Sequence, residues 1–271
     1  MHSPADRKDV LGYETRHLPD GSEDRVVREE PLLLVIHGQQ LMTMRTPGRD
    51  ADLALGFVLG EGIVTNPSDV AEILVLPCNP ESRQPAEVRV TLVAAPDADK
   101  RGRLSRTHEI RSSCGFCGVT DADALLDDIP PLLPGTPKLC SSSISTLLDA
   151  LQSRQPIFAA TGGCHGAIVA NSDHVVVGAG EDVGRHNALD KAIGEAARRG
   201  AELSRCVAVV SGRMGYDLAI KCLRVRIPIL VSVSAPSSLA LALCEAAGAT
   251  LIGFARDGRH RLYADQGRLV R

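Results

Sequence analysis

The chain has 271 residues, a formal net charge of −3, 44% hydrophobic residues, only 3% aromatic residues and no tryptophan. That length suffices for one large or two modest domains with a buried core, which must be built from Ala, Val, Leu and Ile. The near-balanced charge excludes a global basic signal for nucleic acid or a membrane surface, so any anion site must be local.

The first eleven residues are polar and charged, and no later segment runs eighteen apolar residues, so the expectation is a cytoplasmic chain without a membrane span. Residues 1–28 lack a sustained apolar period and read as a flexible leader or an edge strand. A hairpin is predicted over 31–37 and 41–45 around Gly38, then a helix over 51–61 with Asp50 as N-cap and Gly62 closing it. Strands are predicted over 70–75 and 86–93, which makes 30–110 an α+β portion. Residues 95–111 are charged and glycine-containing, with a turn-like run over 100–111, so the cysteine loop that follows is expected to be mobile and solvent-reachable.

The loop over 111–128 opens with Ser112-Ser113-Cys114-Gly115-Phe116-Cys117-Gly118. A cysteine is a nucleophile only as thiolate, which a second cysteine in Cys-x-x-Cys and nearby cations favour. Three chemistries stay open for Cys114 and Cys117: zinc ligation, dithiol–disulfide exchange and sulfur carriage as a persulfide. Zinc would need a second ligand pair, and no second Cys-x-x-Cys or close His pair is written in the chain, so no permanently bound metal is expected. The eight cysteines are too scattered for a disulfide framework, and Cys206, Cys222 and Cys244 lie in apolar patterns as small core residues.

Residues 129–138 carry four prolines and read as irregular, followed by a helix over 142–152. From residue 156, β-rich runs at 157–160, 175–177, 207–210, 229–233 and 251–255 alternate with helical patterns at 187–199, 216–224 and 237–247. This predicts an α/β fold with a largely parallel sheet and flanking helices over 140–271, and one domain over 30–271. In such sheets ligands bind beyond the carboxyl ends of the strands. There the sequence places Thr161-Gly162-Gly163-Cys164-His165, the run 180–187 with Arg185 and His186, Ser211-Gly212-Arg213, and Ser234-Ala235-Pro236-Ser237-Ser238. Small residues, free helix N–H groups and the two arginines suit a phosphate-bearing ligand. Asp182, His186 and Asn187 read equally as an acid–base constellation or a salt-bridged helix start. Cys164 and His165 could form a nucleophile pair, ranked below the Cys114 loop because Cys164 abuts a strand end.

The Cys-x-x-Cys loop, Thr161 to His165, Glu181-Asp182-Val183-Gly184-Arg185-His186-Asn187-Ala188-Leu189-Asp190-Lys191, Ser211-Gly212-Arg213, Ser234-Ala235-Pro236-Ser237 and Gly253-Phe254-Ala255-Arg256 together resemble the FdhD family of formate dehydrogenase accessory sulfur carriers. Glu30-Pro31-Leu32, Thr46-Pro47-Gly48 and Glu61-Gly62-Ile63 extend the resemblance over roughly residues 30–264. It implies a cytidine-deaminase-like α/β sandwich without deaminase activity, since His-x-Glu with Pro-Cys-x-x-Cys is missing. It further implies sulfur taken from a cysteine desulfurase as a persulfide and passed to a molybdenum or tungsten bis(molybdopterin guanine dinucleotide) cofactor destined for formate dehydrogenase. On this chain it makes Cys114 the persulfide residue with Cys117 as partner. The cofactor segment falls on Gly253, Phe254, Ala255, Arg256, Asp257 and Gly258, and a homodimer is expected. The chain departs from the family's pattern at Phe116 and Cys164, and the second argues against an essential Cys164 nucleophile. A non-catalytic cofactor chaperone and a zinc-bound structural protein are the alternatives.

Overall fold

The computed structural model describes residues 12–79, 84–106, 126 and 129–270. Residues 13–27, read above as leader or edge strand, form an antiparallel hairpin of β1 (Tyr13–His17) and β2 (Glu23–Val27). Its turn is set by Asp20, whose carboxylate accepts from the Ser22 N–H at 2.9 Å, and by Gly21 at φ 84.

The predicted hairpin is present as β3 (Glu30–Ile36) and β4 (Gln39–Arg45), joined through His37 and Gly38 at positive φ. With β5 (Val70–Leu76) and β6 (Ala86–Leu92) they form a four-stranded sheet of order β4-β3-β6-β5, in which β3 and β6 run parallel. Period-two alternation turns Leu32, Leu34, Ile36, Val88, Val90 and Leu92 to one buried face. Against that face packs α1 (Asp50–Gly60). Asp50 is the first helical residue and not the cap; the cap position belongs to Arg49, in left-handed geometry at φ 61. The charged run expected to be turn-like from residue 100 instead begins within α2 (Ala98–Arg106).

After β7 (Leu139–Cys140) and α3 (Ser143–Gln152), the apolar run expected as a strand over 157–160 is instead α4 (Pro156–Thr161). Pro156 suits a first helical position, and Glu181 closes the helix start by accepting from the Ile157 and Phe158 N–H groups at 3.0 and 2.5 Å. Gly162, at φ 67, ends the helix. The strand follows as β8 (His165–Ala170), then β9 (Val176–Asp182), α5 (Arg185–Arg198), β10 (Val207–Val210), α6 (Tyr216–Arg224), β11 (Ile229–Ser232), α7 (Ser238–Ala246), β12 (Thr250–Arg256), β13 (Arg259–Ala264) and β14 (Leu269–Val270).

Strands β8 to β13 make a six-stranded sheet of order β13-β12-β11-β10-β8-β9. The expectation of a largely parallel sheet needs correction: β10, β11 and β12 are parallel, while β8, β9 and β13 add antiparallel. A helix separates each parallel pair, whereas β8–β9 and β12–β13 are joined by tight turns that only antiparallel neighbours permit. One face of this sheet buries Ile144, Leu147 and Leu151 of α3. A second apolar cluster takes in the other face, α5, α6, α7, α1 and the four-stranded sheet, so one continuous core spans both sheets. Helices α1 and α5 cross at backbone contact: a Cβ at Gly56 would collide with the Asp190 carbonyl, and one at Gly194 with the Asp52 carbonyl. Among the described residues no helix is long and apolar enough to cross a membrane.

Candidate functional site

Parallel strands β10, β11 and β12 end on one edge of the six-stranded sheet, and the antiparallel register carries two further segments there. Pairing of Val210 with Ala167 and of His165 with Asp182 sets the start of β8 and the end of β9 beside the end of β10. The small-residue turns read from the sequence therefore share one rim. They are laced together: Ser211 N–H donates to the Gly166 carbonyl at 2.9 Å, Met214 N–H to Ala235 at 3.2 Å, Ser237 N–H to Met214 at 2.9 Å, and Phe254 N–H to Ser234 at 3.0 Å. The Ser211 hydroxyl accepts from the Gly166 N–H at 2.9 Å, and the Ser237 side chain caps α7 by accepting from Ala240 N–H.

Arg213 and Arg256 are exposed on this rim, and among the described residues neither guanidinium forms a hydrogen bond or ion pair. An uncompensated guanidinium beside helix N-termini is suited to a phosphate. The Gly253–Gly258 segment is irregular: the β12–β13 register shifts between Gly253 and Arg256, and Phe254 sits at φ 50 with its ring exposed. A non-glycine residue at positive φ is held there by its surroundings, here by the bond to Ser234 and by Arg261, whose guanidinium lies 5.6 Å from the ring centre. Ala255 is buried, while Asp257 and Gly258 form the exposed hairpin turn at φ 53 and 69. Beside that turn lies a cavity of about 350 Å³ between Ser141, Ser142 and Ser145 at the start of α3 and Gly258, Arg259 and His260.

Beneath the rim, the run 181–191 divides into inward and outward side chains. Asp182 is fully buried and accepts from the N–H groups of Thr46 at 3.1 Å and Gly184 at 2.9 Å, from Asn187 Nδ2 at 3.2 Å and from Lys191 Nζ at 2.7 Å. Lys191 Nζ also donates to the Thr46 carbonyl at 2.8 Å, and Asn187 to the Met44 carbonyl at 2.8 Å. Asp182 and Asn187 thus fasten the small sheet to the rim and have no free valence for acid–base work. Arg185 and His186 point the other way, where both donate to Asp217 Oδ2, Arg185 Nη2 at 2.9 Å. Burial raises the Asp217 pKa, but the bonds and charges of His186 and Arg185 outweigh it and hold this carboxyl well below the usual range. Asp217 was missed from the sequence, where an acid in a helix's first turn reads as a partner of the helix dipole.

Successive strand-start residues also separate Cys164 from His165. Cys164 is buried against Thr46, its Sγ 3.7 Å from the Thr46 hydroxyl, and burial pushes its thiol up to about 11. His165 faces Gly212 at the rim, and burial, reinforced by the positive Arg185 and His186, holds its imidazole below the usual value. The two do not form a nucleophile pair. Cys114 and Cys117 lie outside the described residues. Among the described residues, no group of three or more His, Cys, Asp and Glu side chains gathers as a metal site.

Fold and rim define a mixed α/β protein with two exposed arginines on the edge where its parallel strands end. The chain belongs to the FdhD/NarQ family, whose model matches residues 27–270. It is similar to the sulfur carrier protein FdhD of Anaeromyxobacter dehalogenans (strain 2CP-1 / ATCC BAA-258), with 39% identity over 91% of this chain and 88% of that one. To the sulfur carrier protein FdhD of Xanthomonas euvesicatoria pv. vesicatoria (strain 85-10) the identity is 40%, over 91% and 86% of the two chains. A crystal structure from Desulfotalea psychrophila, described as that of a putative formate dehydrogenase accessory protein, superposes with a TM-score of 0.71 at 25% identity, covering 95% of this chain and 97% of that one.

Proposed function

We propose that this protein is a cytoplasmic, homodimeric sulfur carrier for formate dehydrogenase. It accepts sulfur from a cysteine desulfurase and delivers it to a molybdenum or tungsten bis(molybdopterin guanine dinucleotide) cofactor held as cargo on the rim. The Cys114 thiolate attacks the desulfurase persulfide, the desulfurase cysteine leaves as thiolate, and the sulfane sulfur is now on Cys114. For release as sulfide, the Cys117 thiolate attacks the Cys114 sulfur, the persulfide S–S bond breaks, and a Cys114–Cys117 disulfide is left for a cellular dithiol to reduce. Family membership and the names of the relatives support the carrier role. The observation that supports cargo binding is the pair of exposed arginines, Arg213 and Arg256, whose guanidinium groups have no partner among the described residues, on the edge where the helices α6 and α7 begin. Arg185, His186, Ser234 and the Gly253–Gly258 segment border the same edge, and the exposed Phe254 ring offers a face on which a base can stack.

GDP, as the nucleotide fragment of the cargo, tests the placement by calorimetry. A charge-assisted contact to phosphate contributes about 1.5–3 kcal/mol, so Arg213→Ala and Arg256→Ala should each weaken GDP about ten-fold or more. Cys114→Ala should leave affinity unchanged, because the thiol serves the sulfur-accepting end of the cargo. Undetectable binding by the wild type, or equal affinity in all four proteins, overturns the assignment.

A further inference from the structure

The β1–β2 ribbon is held to the rest of the chain along one side. Strand β2 packs against α4 and the turn that follows it, where a Cβ at Gly163 would collide with Val27. Strand β1 is the outer one, and among the described residues no strand pairs with its far edge. Thr15, Arg16 and His17 are exposed, as are residues 23–26 opposite them. A two-stranded ribbon with much of both faces in water is marginally stable, and an open strand edge is a template for a further strand. The pairing of β1 with β2 is regular over all five residues of β1, with no bulge to twist that edge away.

We propose that β1 is the pairing surface for a second copy of this chain, which joins the two ribbons edge to edge, antiparallel about a twofold axis at Thr15. The proposal rests on the homodimeric state proposed above and is independent of sulfur carriage. Residues directly opposite one another in an antiparallel pair share a face, so a symmetric pairing sets one residue opposite its own copy. With Thr15 in that position all five residues of β1 are paired. Glu14 then faces the partner's Arg16, Arg16 faces the partner's Glu14, and two threonine hydroxyls meet at the axis. Centring the pairing on Glu14 or Arg16 sets like charges together, and centring β2 on Asp24 or Arg25 does the same. The charge order of β1 is therefore complementary to itself in one register, the one that pairs the whole strand. Within one chain Arg16 Nε donates to Glu14 Oε1 at 2.6 Å, so the pairing extends this contact into a cluster of four alternating charges across the axis. The product is a four-stranded sheet of order β2-β1-β1-β2, which no longer depends on a bare ribbon. A five-residue edge is small beside the roughly 1,200 Å² of stable interfaces, so the dimer dissociates on dilution.

Sedimentation equilibrium of the full chain over about 1–100 μM, the range expected of so small an interface, tests this. The wild type should pass from monomer to dimer. Glu14→Arg sets two pairs of positive charges across the axis and Arg16→Glu two pairs of negative charges, so each variant alone should associate about ten-fold or more weakly. Mixed in equal amounts, the two variants complement each other across the axis, although neither regains the contact within its own strand, and the mixture should recover the association. A wild type that stays monomeric throughout overturns the homodimeric reading and the pairing with it. A dimer that neither variant weakens overturns the pairing alone. So does loss in both variants without recovery on mixing, which would mark the Glu14–Arg16 contact as serving its own ribbon only.

Discussion

Replacing Lys191 with Met removes the buried cation that fastens the rim while keeping most of the side-chain volume. Lys191 is 2% exposed, and its Nζ lies 2.7 Å from Asp182 Oδ2, 2.8 Å from the Thr46 carbonyl and 3.3 Å from the Glu181 carbonyl. Without it, the fully buried Asp182 keeps the Thr46, Gly184 and Asn187 donors but loses its counter-charge. Breaking a buried ion pair from one side costs about 3–5 kcal/mol, and the three surviving donors place this case near the lower end, about 3 kcal/mol. For a chain of this size that corresponds to a fall in melting temperature of roughly 6–12 °C. Circular dichroism melts with urea midpoints measure it. Pairing the change with Asp182→Asn should restore part of the loss, because no unpaired charge is left buried. A Lys191→Met protein within about 1 kcal/mol of the wild type would refute the assigned role of this network, as would a double variant less stable than the single one.

Gly194→Ala places a methyl against the Asp52 carbonyl across the α1–α5 crossing, so α1 and its sheet must move; a loss of about 1–3 kcal/mol in urea denaturation is expected, and an unchanged midpoint contradicts the contact. Iodoacetamide at neutral pH should alkylate Cys78 and Cys140 well before Cys164, Cys206, Cys222 and Cys244. Cys78 is exposed, a hydrogen bond from Ser142 holds the Cys140 thiol below its usual value, and burial pushes Cys164 up to about 11. Peptide mass spectrometry that finds Cys164 labelled as fast as Cys140 would contradict the burial assigned to it.

Apolar periodicity was enough to locate β3, β4, α1, α3, α6, β10, β11 and β12, because each carries one dominant period and clear punctuation, whereas β13 was not read from the sequence. It failed at Ile157-Phe158-Ala159-Ala160, where four apolar residues suit strand or helix equally. The choice there is made by Glu181, a residue 24 positions from Ile157 that supplies the carboxylate for the helix start. Strand direction is likewise absent from an apolar run, and only the tight Asn171–Val175 turn, with its Asn171 N–H bond to the Val175 carbonyl, signals that β9 doubles back on β8. The rim was legible as a set of glycine and serine turns, because close backbone approach selects those residues locally. What those turns hold was not: Asp182 takes its partner Thr46 from 136 residues away, and Asp217 takes Arg185 from 32 away. The even choice between an acid–base group and a salt-bridged helix start for Asp182, His186 and Asn187 has a divided outcome, with Asp182 and Asn187 structural and His186 at the rim.

Sulfur carriage is tested most directly by incubating the protein with a cysteine desulfurase and isotopically labelled cysteine, then locating the added sulfur by peptide mass spectrometry. The account predicts one labelled sulfur on Cys114, lost in Cys114→Ala and retained on Cys114 in Cys117→Ser, which can accept sulfur but cannot expel it as sulfide. Label at the wild-type level in Cys114→Ala, or no label on the wild type beside an active desulfurase, would contradict it.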